Sequence, residues 1–492
     1  MIAVRSPASG ELLAEVPELG AHEVAELARR ARAAQPAWEA LGFDGRAAVL
    51  RALARALLDD SAALIETIVS ETGKTYDDAQ LTELAYAVSA LSFWAGHAAG
   101  FLGERSRLAR SPLVAGRRLV TRWVPRGVVG VIGPWNYPLL NTFGDAIPAL
   151  AAGNSVVLKP SELTPLTSLF VARKLAECGL PDGVLAVATG GGATGAALVD
   201  HVDFVMFTGS TATGREVAAR AARSLTPCSL ELGGKDALVV LDGASLERAA
   251  NVAVFYGMLN GGQSCISIER VYVAASLHDA FLAKVTAKVA ALRVGAPGGP
   301  GAVDVGAITS EEQLAIIEAH VADALAKGAS VTTGGRRADA TGRFYLPTVL
   351  AGVDHSMRCM TEETFGPTLP VMAVAGEEEA VALVNDSPMG LGAAVFAGSA
   401  AEGERIARRL RAGAVCVNDA AVNYFALEVP MGGLGESGIG VRHGPEGIRK
   451  YCTQRTILVT PRVAPRREPQ FYPHTPGSAR LVRRLLALLY RR

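Results

Sequence analysis

The sequence Gly127-Val128-Val129-Gly130-Val131-Ile132 opens the stretch that decides the fold, because it is an uncharged run rich in β-branched residues. Further apolar runs follow at 155–158, 184–188 and 204–207. Segments with helical character separate these runs, at 140–152, 165–177 and 212–222. Buried strands that alternate with helices indicate a parallel sheet with right-handed crossovers. The stretch therefore predicts a doubly wound α/β layout of the kind that binds nucleotides.

The flanking sequence before this stretch is largely helical. Apolar residues recur at helical spacing between 21 and 100, most clearly in 47–58 and 60–70, and we expect these helices to pack against the sheet. Residues 117–125 alternate charged and apolar side chains, as an edge or hairpin strand does. Within the sheet region, Thr164 and Pro165 are predicted as the N-cap and the first residue of the second helix.

A second alternating block begins after Gly233. Strands are predicted at 237–241, 270–274 and 393–396, and helices at 277–292 and 310–327. This pattern predicts a second α/β domain. The length agrees with it, since 492 residues are too many for one compact core.

The composition is that of a globular protein with a small-molecule partner. Forty-eight basic residues balance 48 acidic ones, which argues against nucleic acid as a partner, and half of the chain is hydrophobic, which argues against disorder. The six cysteines form no CxxC pair and the eight histidines are scattered, so we expect neither a metal site nor disulfides. The chain shows no signal peptide or membrane-spanning run, and a cytoplasmic location is expected.

Cys265 is the candidate nucleophile. It ends Asn260-Gly261-Gly262-Gln263-Ser264-Cys265, a glycine-rich turn that follows an apolar helical run at 252–259. Such a cysteine, taken alone, is more often an inert buried hydrophobe. Glu231 in Leu230-Glu231-Leu232-Gly233-Gly234-Lys235 and Asn136 in Pro134-Trp135-Asn136-Tyr137-Pro138 lie in equally unusual sequences. The three side chains are chemically complementary, which favours a catalytic role.

These residues, in this order, resemble the aldehyde dehydrogenase superfamily over about residues 5–460. The resemblance includes Leu158-Lys159-Pro160-Ser161-Glu162, Phe207-Thr208-Gly209-Ser210-Thr211, Glu363-Thr364-Phe365-Gly366-Pro367 and Pro430-Met431-Gly432-Gly433. The sequences after Cys265 and after Pro430 look closest to bacterial members described as succinate-semialdehyde dehydrogenases. Several separated motifs in one order make a chance match implausible.

The resemblance implies a domain plan. Residues 1–108 and 126–232 would form an NAD-binding domain, and residues 233–436 a catalytic domain carrying the cysteine. Residues 109–125 and 450–461 would form a small β oligomerisation arm, which implies a homodimer or homotetramer. Residues 462–492 would be a C-terminal extension.

The resemblance also implies a mechanism. Cys265, partly thiolate near neutral pH, would attack the aldehyde, and the side-chain amide of Asn136 and the backbone N–H of Cys265 would hold the oxyanion. Glu231 would be the base that activates water to hydrolyse the resulting thioester to a free acid. The alternative for Glu231 is an ion pair with Lys235, which the two intervening glycines disfavour.

The cofactor is expected to be NAD, with NADP less favoured. Gly190–Gly195 matches GxGxxG but lacks the acidic residue about 20 positions on, so it is interpreted either as a flexible connection or as a close approach to a ligand. A better phosphate site is the turn at 209–214. Glu162 would bind the ribose and repel a 2′-phosphate. The full cofactor set by resemblance is Trp135, Lys159, Glu162, Gly209, Ser210, Thr211, Gly214, Leu232, Glu363 and Phe365.

The substrate remains open at this stage. The family positions of the pocket wall are Tyr137, Ser264, Ile266, Tyr424 and Phe425. This wall is apolar and aromatic, and no local pattern singles out an arginine for a second carboxylate, so both succinate semialdehyde and a medium-chain, long-chain or aromatic aldehyde are candidates. Outside the dehydrogenases, the alternatives are a thiol esterase and a structural nucleotide-binding protein.

The tail outside the resemblance predicts an amphipathic helix at 480–492. Its aliphatic residues fall toward one face, and five arginines lie among or beside them. The segment is too short to span a membrane. Packing on protein and lying on a membrane surface both remain open.

Overall fold

The computed structural model describes residues 1–111, 114, 116–338, 341–461, 463, 468 and 471–491. Residues 112, 113 and 115 of the predicted arm lie outside the described residues. So do 462, 464–467, 469, 470 and Arg492 of the predicted C-terminal extension.

The strands of the described chain are numbered in order. They are β1 Ile2–Arg5, β2 Leu12–Val16, β3 Arg105–Leu108, β4 Arg118–Pro125, β5 Val128–Ile132, β6 Ser155–Lys159, β7 Leu185–Val187, β8 Phe204–Thr208, β9 Cys228–Glu231, β10 Ala237–Val240, β11 Arg270–Ala274, β12 Ser330–Thr333, β13 Thr348–Ala351, β14 Thr368–Val374, β15 Met389–Gly390, β16 Gly392–Phe396, β17 Ala414–Val417, β18 Leu434–Gly435, β19 Gly438–Ile439 and β20 Cys452–Val459.

The helices follow the same order. They are α1 Ala21–Ala40, α2 Gly42–Asp59, α3 Ser61–Thr72, α4 Tyr76–Asp78, α5 Ala85–Leu102, α6 Gly144–Ala151, α7 Leu166–Glu177, α8 Gly192–Val199, α9 Thr211–Arg223, α10 Leu246–Met258, α11 His278–Ala290, α12 Glu311–Ala326, α13 Arg358–Thr361, α14 Glu377–Asn385, α15 Ala400–Ala407, α16 Gly444–Arg449 and α17 Pro476–Tyr490. Wider π turns cover Ala79–Leu84 and Pro138–Phe143, and 3₁₀ turns cover Leu259–Gly262 and Val422–Phe425.

The chain forms two compact units. The first contains Met1–Phe101 and Pro125–Tyr451, and the second contains Leu102–Val124 and Cys452–Arg492. The domain boundaries expected from the resemblance stay a prediction.

The first sheet confirms the doubly wound α/β prediction. Its strand order is β19-β9-β8-β5-β6-β7, with β5 to β9 parallel and β19 antiparallel to β9. Helix α1 covers the sheet, since its Val24 and Ala31 share one buried cluster with Val128, Val157 and Val205 of the strands. The strand order reverses between β5 and β8, and ligands of such sheets bind beyond the carboxyl ends of the strands at this reversal.

Two expected helix starts in this region are wrong. Helix α7 begins at Leu166 instead of Pro165, and the carboxylate of Glu71 accepts hydrogen bonds from the N–H groups of Leu166 at 2.7 Å and Thr167 at 3.0 Å. Thr164 instead donates its hydroxyl to the Trp135 carbonyl at 3.3 Å. A buried carboxylate from α3 thus replaces the local cap, a contact between residues 95 positions apart that sequence periodicity does not encode.

The second start is that of the helix expected at 140–152. It begins earlier, as the π turn Pro138–Phe143, and becomes regular only in α6. The carboxylate of Glu83 accepts the N–H groups of Leu139 at 2.9 Å and Leu140 at 2.8 Å. These bonds satisfy donors that a helix start leaves free, which allows the chain to bury this turn.

The second sheet has the order β12-β13-β14-β11-β10-β16-β17. Strand β12 is antiparallel to β13 and the other neighbours are parallel. Helix α12 begins with Ser310 as its N-cap, whose hydroxyl accepts the N–H of Gln313. The second α/β sheet expected from the sequence is therefore present.

The second unit contains a three-stranded sheet in the order β20-β4-β3, in which β3 and β4 are antiparallel. The strand expected at 117–125 is β4. Helix α17 belongs to the same unit and begins at Pro476, with Thr475 as its N-cap. Among the described helices, none has the length and hydropathy needed to cross a membrane.

Candidate active site

The candidate site lies where loops from both sheets of the first unit meet. Loops after β5 and β8 carry Asn136 and Gly209, on either side of the reversal in strand order. The loops that precede β11 and β14 carry Cys265 and Glu363, and these two strands are neighbours in the second sheet. The topology therefore brings four distant segments to one cleft.

Glycines allow the turn that presents Cys265. Asn260, Gly261 and Gly262 have positive φ angles of 55°, 64° and 71°, the left-handed region that glycine tolerates best. A Cβ at Gly262 would lie 2.0 Å from the carbonyl oxygen of Gly366, and one at Gly234 would lie 2.2 Å from that of Cys265. Side chains at these positions would therefore displace the backbone that holds the thiol.

The surroundings of Cys265 oppose formation of the thiolate that the sequence predicts. Burial raises the pKa of its thiol to about 12, although Arg442 acts in the opposite direction. The surrounding residues include the carboxyl groups of Glu363, Asp236 and Glu231, which also raise the pKa of the thiol. Deprotonation of Cys265 therefore depends on a base or a nearby positive charge.

Asn136 is held by a network that the sequence did not predict. The side-chain Nδ2 of Asn136 donates to the backbone carbonyl of Gln263 at 2.9 Å. The backbone carbonyl of Asn136 accepts from Lys74 Nζ at 2.9 Å and from Asn260 Nδ2 at 3.1 Å. Lys74 and Glu83 form a fully buried ion pair at 2.6 Å. Since Glu83 also fixes the start of the next turn, this pair positions the Asn136 loop from two sides.

Glu231 has a buried carboxylate that accepts no hydrogen bond within the described part of the chain. Neither of its carboxylate oxygens has a hydrogen-bond partner among the described residues, although its side chain is buried. Burial raises the pKa of Glu231 to about 7, against the lowering effect of Arg442 and Lys450. Unpaired buried carboxylates are rare, and a raised pKa of this kind is typical of catalytic bases.

Lys235, the alternative ion-pair partner of Glu231, pairs with Glu269 instead. Lys235 Nζ donates to Glu269 Oε2 at 2.6 Å, and both side chains are buried. Glu269 also accepts the N–H groups of Thr364 and Phe365, each at 2.8 Å. The Lys235–Glu269 pair therefore supports the cofactor segment near Glu363 and leaves Glu231 free of it.

Arg442 is a site residue that sequence reasoning missed. It donates to both oxygens of Asp145 at 2.8 Å, donates to the Thr208 hydroxyl, and lies 3.8 Å from Glu231. Asp145 precedes Arg442 by 297 positions, and Lys74 precedes Asn136 by 62. Neither pairing leaves a local pattern in the sequence, so no sequence signal marked these partners.

A cleft passes from the first sheet to Cys265. Its outer part is lined by Lys159, Glu162, Gly192, Gly195 and Ser210, among others. Its inner part is lined by Trp135, Asn136, Leu232, Cys265, Glu363 and Phe365, and both parts share the walls at Pro134, Trp135, Thr208, Gly209 and Ser210. The outer part alone has about 1320 Å³ of space not filled by atoms, open to solvent.

Most of the expected cofactor residues lie on this cleft, and two do not face it. Lys159 Nζ lies 3.4 Å from Glu162 Oε2. Ser210 caps α9, whose N-terminus favours an anion. The hydroxyl of Thr211 instead donates to the Glu436 carbonyl at 3.0 Å, and a Cβ at Gly214 would lie 2.5 Å from Leu232. Thr211 and Gly214 thus shape the turn through packing.

The glycine run at 190–195 leads into helix α8. Gly191 is the N-cap of α8, and Gly192 and Gly195 line the outer cleft. Their position agrees with the close-approach interpretation, since a glycine places no side chain between the helix start and the cleft.

The inner end of the cleft suits a flat ring beside the thiol. Phe365, with φ +52°, packs edge-on against Trp135 at a centroid distance of 5.5 Å. Glu363 Oε1 accepts the Gly234 N–H at 2.8 Å, and burial raises the pKa of Glu363 to about 8. From its outer to its inner end, the cleft therefore offers the Glu162 carboxylate beside the Lys159 ammonium, the N-terminus of α9, and the aromatic rings of Trp135 and Phe365. This order of groups fits a nicotinamide dinucleotide.

A second pocket opens from the other side of Cys265. All five residues expected in the substrate wall line this pocket: Tyr137, Ser264, Ile266, Tyr424 and Phe425. The other lining residues, besides Cys265, are apolar or carry a hydroxyl or amide group: Thr82, Leu140, Asn141, Tyr256, Leu259 and Ala421. It has about 480 Å³ of space not filled by atoms. No Arg, Lys or His is among its described lining residues. Cys265 thus lies between the inner cleft and an apolar pocket.

Two cationic side chains, Lys74 and Arg442, lie against aromatic rings of the pocket wall. Lys74 Nζ lies 4.0 Å from the centroid of the Tyr137 ring, and the guanidinium of Arg442 lies 5.9 Å from that of Tyr424. Both are paired with carboxylates, Glu83 and Asp145 respectively. Neither charge is presented to the pocket.

Comparison with known proteins places these features in a family context. The sequence profile of the aldehyde dehydrogenase family matches residues 1–457. A protein of Mycobacterium ulcerans, provisionally named an NADP(+) succinate-semialdehyde dehydrogenase, is 42% identical over 91% of this chain and 86% of its own length. A protein of Methylomonas sp named 4,4′-diapolycopene aldehyde oxidase is 38% identical over 99% of this chain and 91% of its own length.

Solved structures have the same fold. The structure of a Mycobacterium tuberculosis aldehyde dehydrogenase complexed with NAD+ superposes with a TM-score of 0.89, at 37% identity over 93% of this chain and 94% of that chain. An NADP-dependent enzyme of Escherichia coli gives a TM-score of 0.89 at 33% identity, with 93% and 94% covered.

Proposed function

The chain belongs to the aldehyde dehydrogenase family and is an NAD(P)-dependent aldehyde dehydrogenase, and on this premise we propose that it oxidises an apolar aldehyde to the free carboxylic acid through a covalent intermediate on Cys265. The observation that carries the proposal is the position of Cys265 on the walls of both the inner cleft and the apolar pocket. An aldehyde in the pocket and a nicotinamide in the cleft would both reach this thiol.

The first steps follow from the groups around Cys265. The Cys265 thiol first loses its proton to water, a step that the charge of Arg442 favours. The thiolate sulfur then attacks the aldehyde carbon, and the carbonyl oxygen becomes an oxyanion. The second N–H of Asn136 Nδ2, beyond the one bonded to Gln263, and the backbone N–H of Cys265 are the proposed donors to this oxyanion. The bound dinucleotide supplies the hydride acceptor, and loss of hydride from the tetrahedral adduct leaves a thioester on Cys265.

Glu231 is the proposed base for the second half of the reaction. It accepts a proton from water, and the resulting hydroxide attacks the thioester carbon. The C–S bond then breaks to release the acid and the Cys265 thiolate, which takes the proton back from Glu231. Its oxygens accept no hydrogen bond from the described residues, and its pKa is about 7. Both support this role, because a base with that pKa is ready to accept a proton near neutral pH. The same reasoning makes a free acid the proposed product.

The pocket supports an apolar substrate. Burying an unpaired carboxylate is costly, and the described pocket wall offers no cation to pair with one. The Methylomonas relative, whose name specifies a carotenoid aldehyde, favours the same substrate class. Succinate semialdehyde is the second candidate, favoured by the names of the mycobacterial relatives at 42% identity.

Straight-chain apolar aldehydes such as octanal are expected to have a kcat/KM at least about tenfold above that of succinate semialdehyde, since about 1.4 kcal/mol of unpaired-charge cost suffices for that ratio. The rate of NADH formation with each aldehyde, at fixed enzyme concentration, measures this ratio of kcat/KM values. Ile266→Arg should move the ratio toward succinate semialdehyde, whereas Ile266→Met, its uncharged control, should not. A wild-type preference for succinate semialdehyde would disprove the apolar assignment.

We also propose NAD over NADP, on the strength of Glu162. This carboxylate, paired with Lys159, is available to ribose hydroxyls and would repel a 2′-phosphate. Arg220 and Arg223 line the same cleft, but Arg220 is engaged by Asp200 through two hydrogen bonds at 2.9 and 2.5 Å. Homo-oligomerisation through the sheet of the second unit, and action in the cytoplasm, stay predictions.

Wild-type enzyme is expected to have a higher kcat/KM with NAD than with NADP, and Glu162→Ser should narrow the ratio by about tenfold because a like charge near the 2′-phosphate is removed. Steady-state kinetics with each cofactor and one aldehyde measure the ratio. Glu216→Ser removes another carboxylate from the same cleft and should leave the ratio almost unchanged. An NADP preference in the wild type would contradict the role of Glu162.

A further inference from the structure

Helix α17 has an apolar face whose leucines are exposed. None of its side chains is buried, and Leu488 is 80% exposed. Four other leucines of the helix are also exposed: Leu481, Leu485, Leu486 and Leu489. A helix of this length is marginal in water on its own, so the exposed face needs a surface to pack on.

The two faces of α17 differ sharply in chemistry. At 3.6 residues per turn, its leucines and Val482 fall within an arc of roughly 160°. Arg480, Arg483 and Arg484 fall on the opposite side of the helix. Aromatic residues flank the helix at both ends, with Phe471 and Tyr472 before it and Tyr490 at its last position, and all three are exposed.

The charge of this segment is of one sign. Residues 471–491 contain four arginines and no Asp or Glu. Two copies of α17 packed face to face would bring six arginines together without a countercharge from the helices themselves. A lipid surface with anionic headgroups supplies both the apolar layer and the negative charge, so charge complementarity favours it over a second copy.

The length of α17 limits how it can meet a membrane. Fifteen residues at about 1.5 Å each extend for about 22 Å, less than the roughly 30 Å hydrocarbon core. The helix can therefore lie in the interface but cannot cross it. Exposed tyrosines and phenylalanine beside such a helix are the residues that favour the headgroup region.

We propose that α17 docks this enzyme on an anionic lipid membrane, with its leucine face in the acyl boundary and its arginines among the headgroups. Docking does not depend on which aldehyde is oxidised. It does suit an aldehyde that dissolves in membranes. The relative that aligns over 99% of this chain must include most of the tail, since the remaining 1% is only about five residues.

The test is co-sedimentation of the full-length protein with vesicles. Phosphatidylcholine vesicles with about 30% phosphatidylglycerol are expected to bind at least about tenfold more protein than pure phosphatidylcholine vesicles, and raising the salt concentration should weaken this binding. Deleting residues 471–492 should remove it. Equal binding to both vesicle types, or none to either, would overturn the proposal.

Point variants separate the two faces. Leu485→Glu with Leu488→Glu should abolish binding by breaking the apolar face, and Arg483→Gln with Arg484→Gln should weaken binding to anionic vesicles several-fold. Leu225→Glu is the matched control, because Leu225 is an 89% exposed leucine outside the tail and its loss should change nothing. Oxidation of a short aldehyde should stay within about twofold in all variants, because none touches the active site.

Analytical ultracentrifugation distinguishes the competing occupant. The proposal expects the same oligomeric mass for the wild type and for Leu485→Glu with Leu488→Glu. A fall in mass in this double variant, with vesicle binding unaffected, would assign the leucine face to a second copy of the chain and overturn the membrane assignment.

Discussion

Cys265→Ala is expected to lower aldehyde oxidation by about 10⁴-fold or more, because it removes the only atom proposed to bond to the substrate. NAD binding, measured by calorimetry or fluorescence, should persist, since most of the expected dinucleotide contacts lie on the first sheet and its loops. Cys178→Ala is the matched control: Cys178 is a free, partly exposed cysteine at the end of α7, and its loss should leave turnover unchanged.

Mass spectrometry gives the nucleophile assignment its sharpest test. After brief mixing with aldehyde and NAD, the acyl adduct should be found on the peptide containing Cys265. An adduct on any other cysteine, or substantial turnover in Cys265→Ala, would show that the nucleophile is a different residue.

Glu231→Gln is expected to pass hydride once and then stall as the thioester, with steady turnover lowered by about 10²- to 10⁴-fold, because an amide cannot accept the proton from water. Rapid mixing should show a burst of at most one equivalent of NADH per active site, followed by a slow phase. Glu436→Gln is the control, since Glu436 is an exposed carboxylate paired with Arg215 on the surface. Undiminished steady turnover in Glu231→Gln would remove it as the base.

The pH dependence follows from the pKa of about 7 at Glu231. The base acts as the carboxylate, so thioester hydrolysis should fall about tenfold per pH unit below 7 and level off above it. Glu231→Gln should lose this limb of the profile. A wild-type hydrolysis rate that is independent of pH between 5 and 8 would contradict the assignment.

Stability provides the control against unfolding of Glu231→Gln. A carboxyl group whose folded pKa is raised holds more protons in the folded state than in the unfolded state, so its contribution to stability falls as pH rises from about 4.5 to about 7. Removing the charge should therefore leave the variant at least as stable as the wild type at pH 8. Thermal unfolding at that pH checks this.

The sequence alone predicted strands β5 to β8 of the first sheet, strands β10, β11 and β16 of the second sheet, and the candidate trio Cys265, Glu231 and Asn136. Strands such as β5 and β8 are continuous apolar runs, and each trio member lies in an unusual run of glycine, proline or tryptophan. Periodicity and turn chemistry are properties of neighbouring residues, so they can be read along the chain. The family resemblance added roles to these positions.

Only the tertiary structure decided how these groups are charged and held. The bonds from Lys74 to Asn136, from Asp145 to Arg442 and from Glu71 to the start of α7 join residues that are well separated along the chain. The same packing raises the pKa of Cys265 to about 12 and that of Glu231 to about 7. Desolvation and pairing depend on which groups surround a side chain after folding, and neighbouring sequence does not record that.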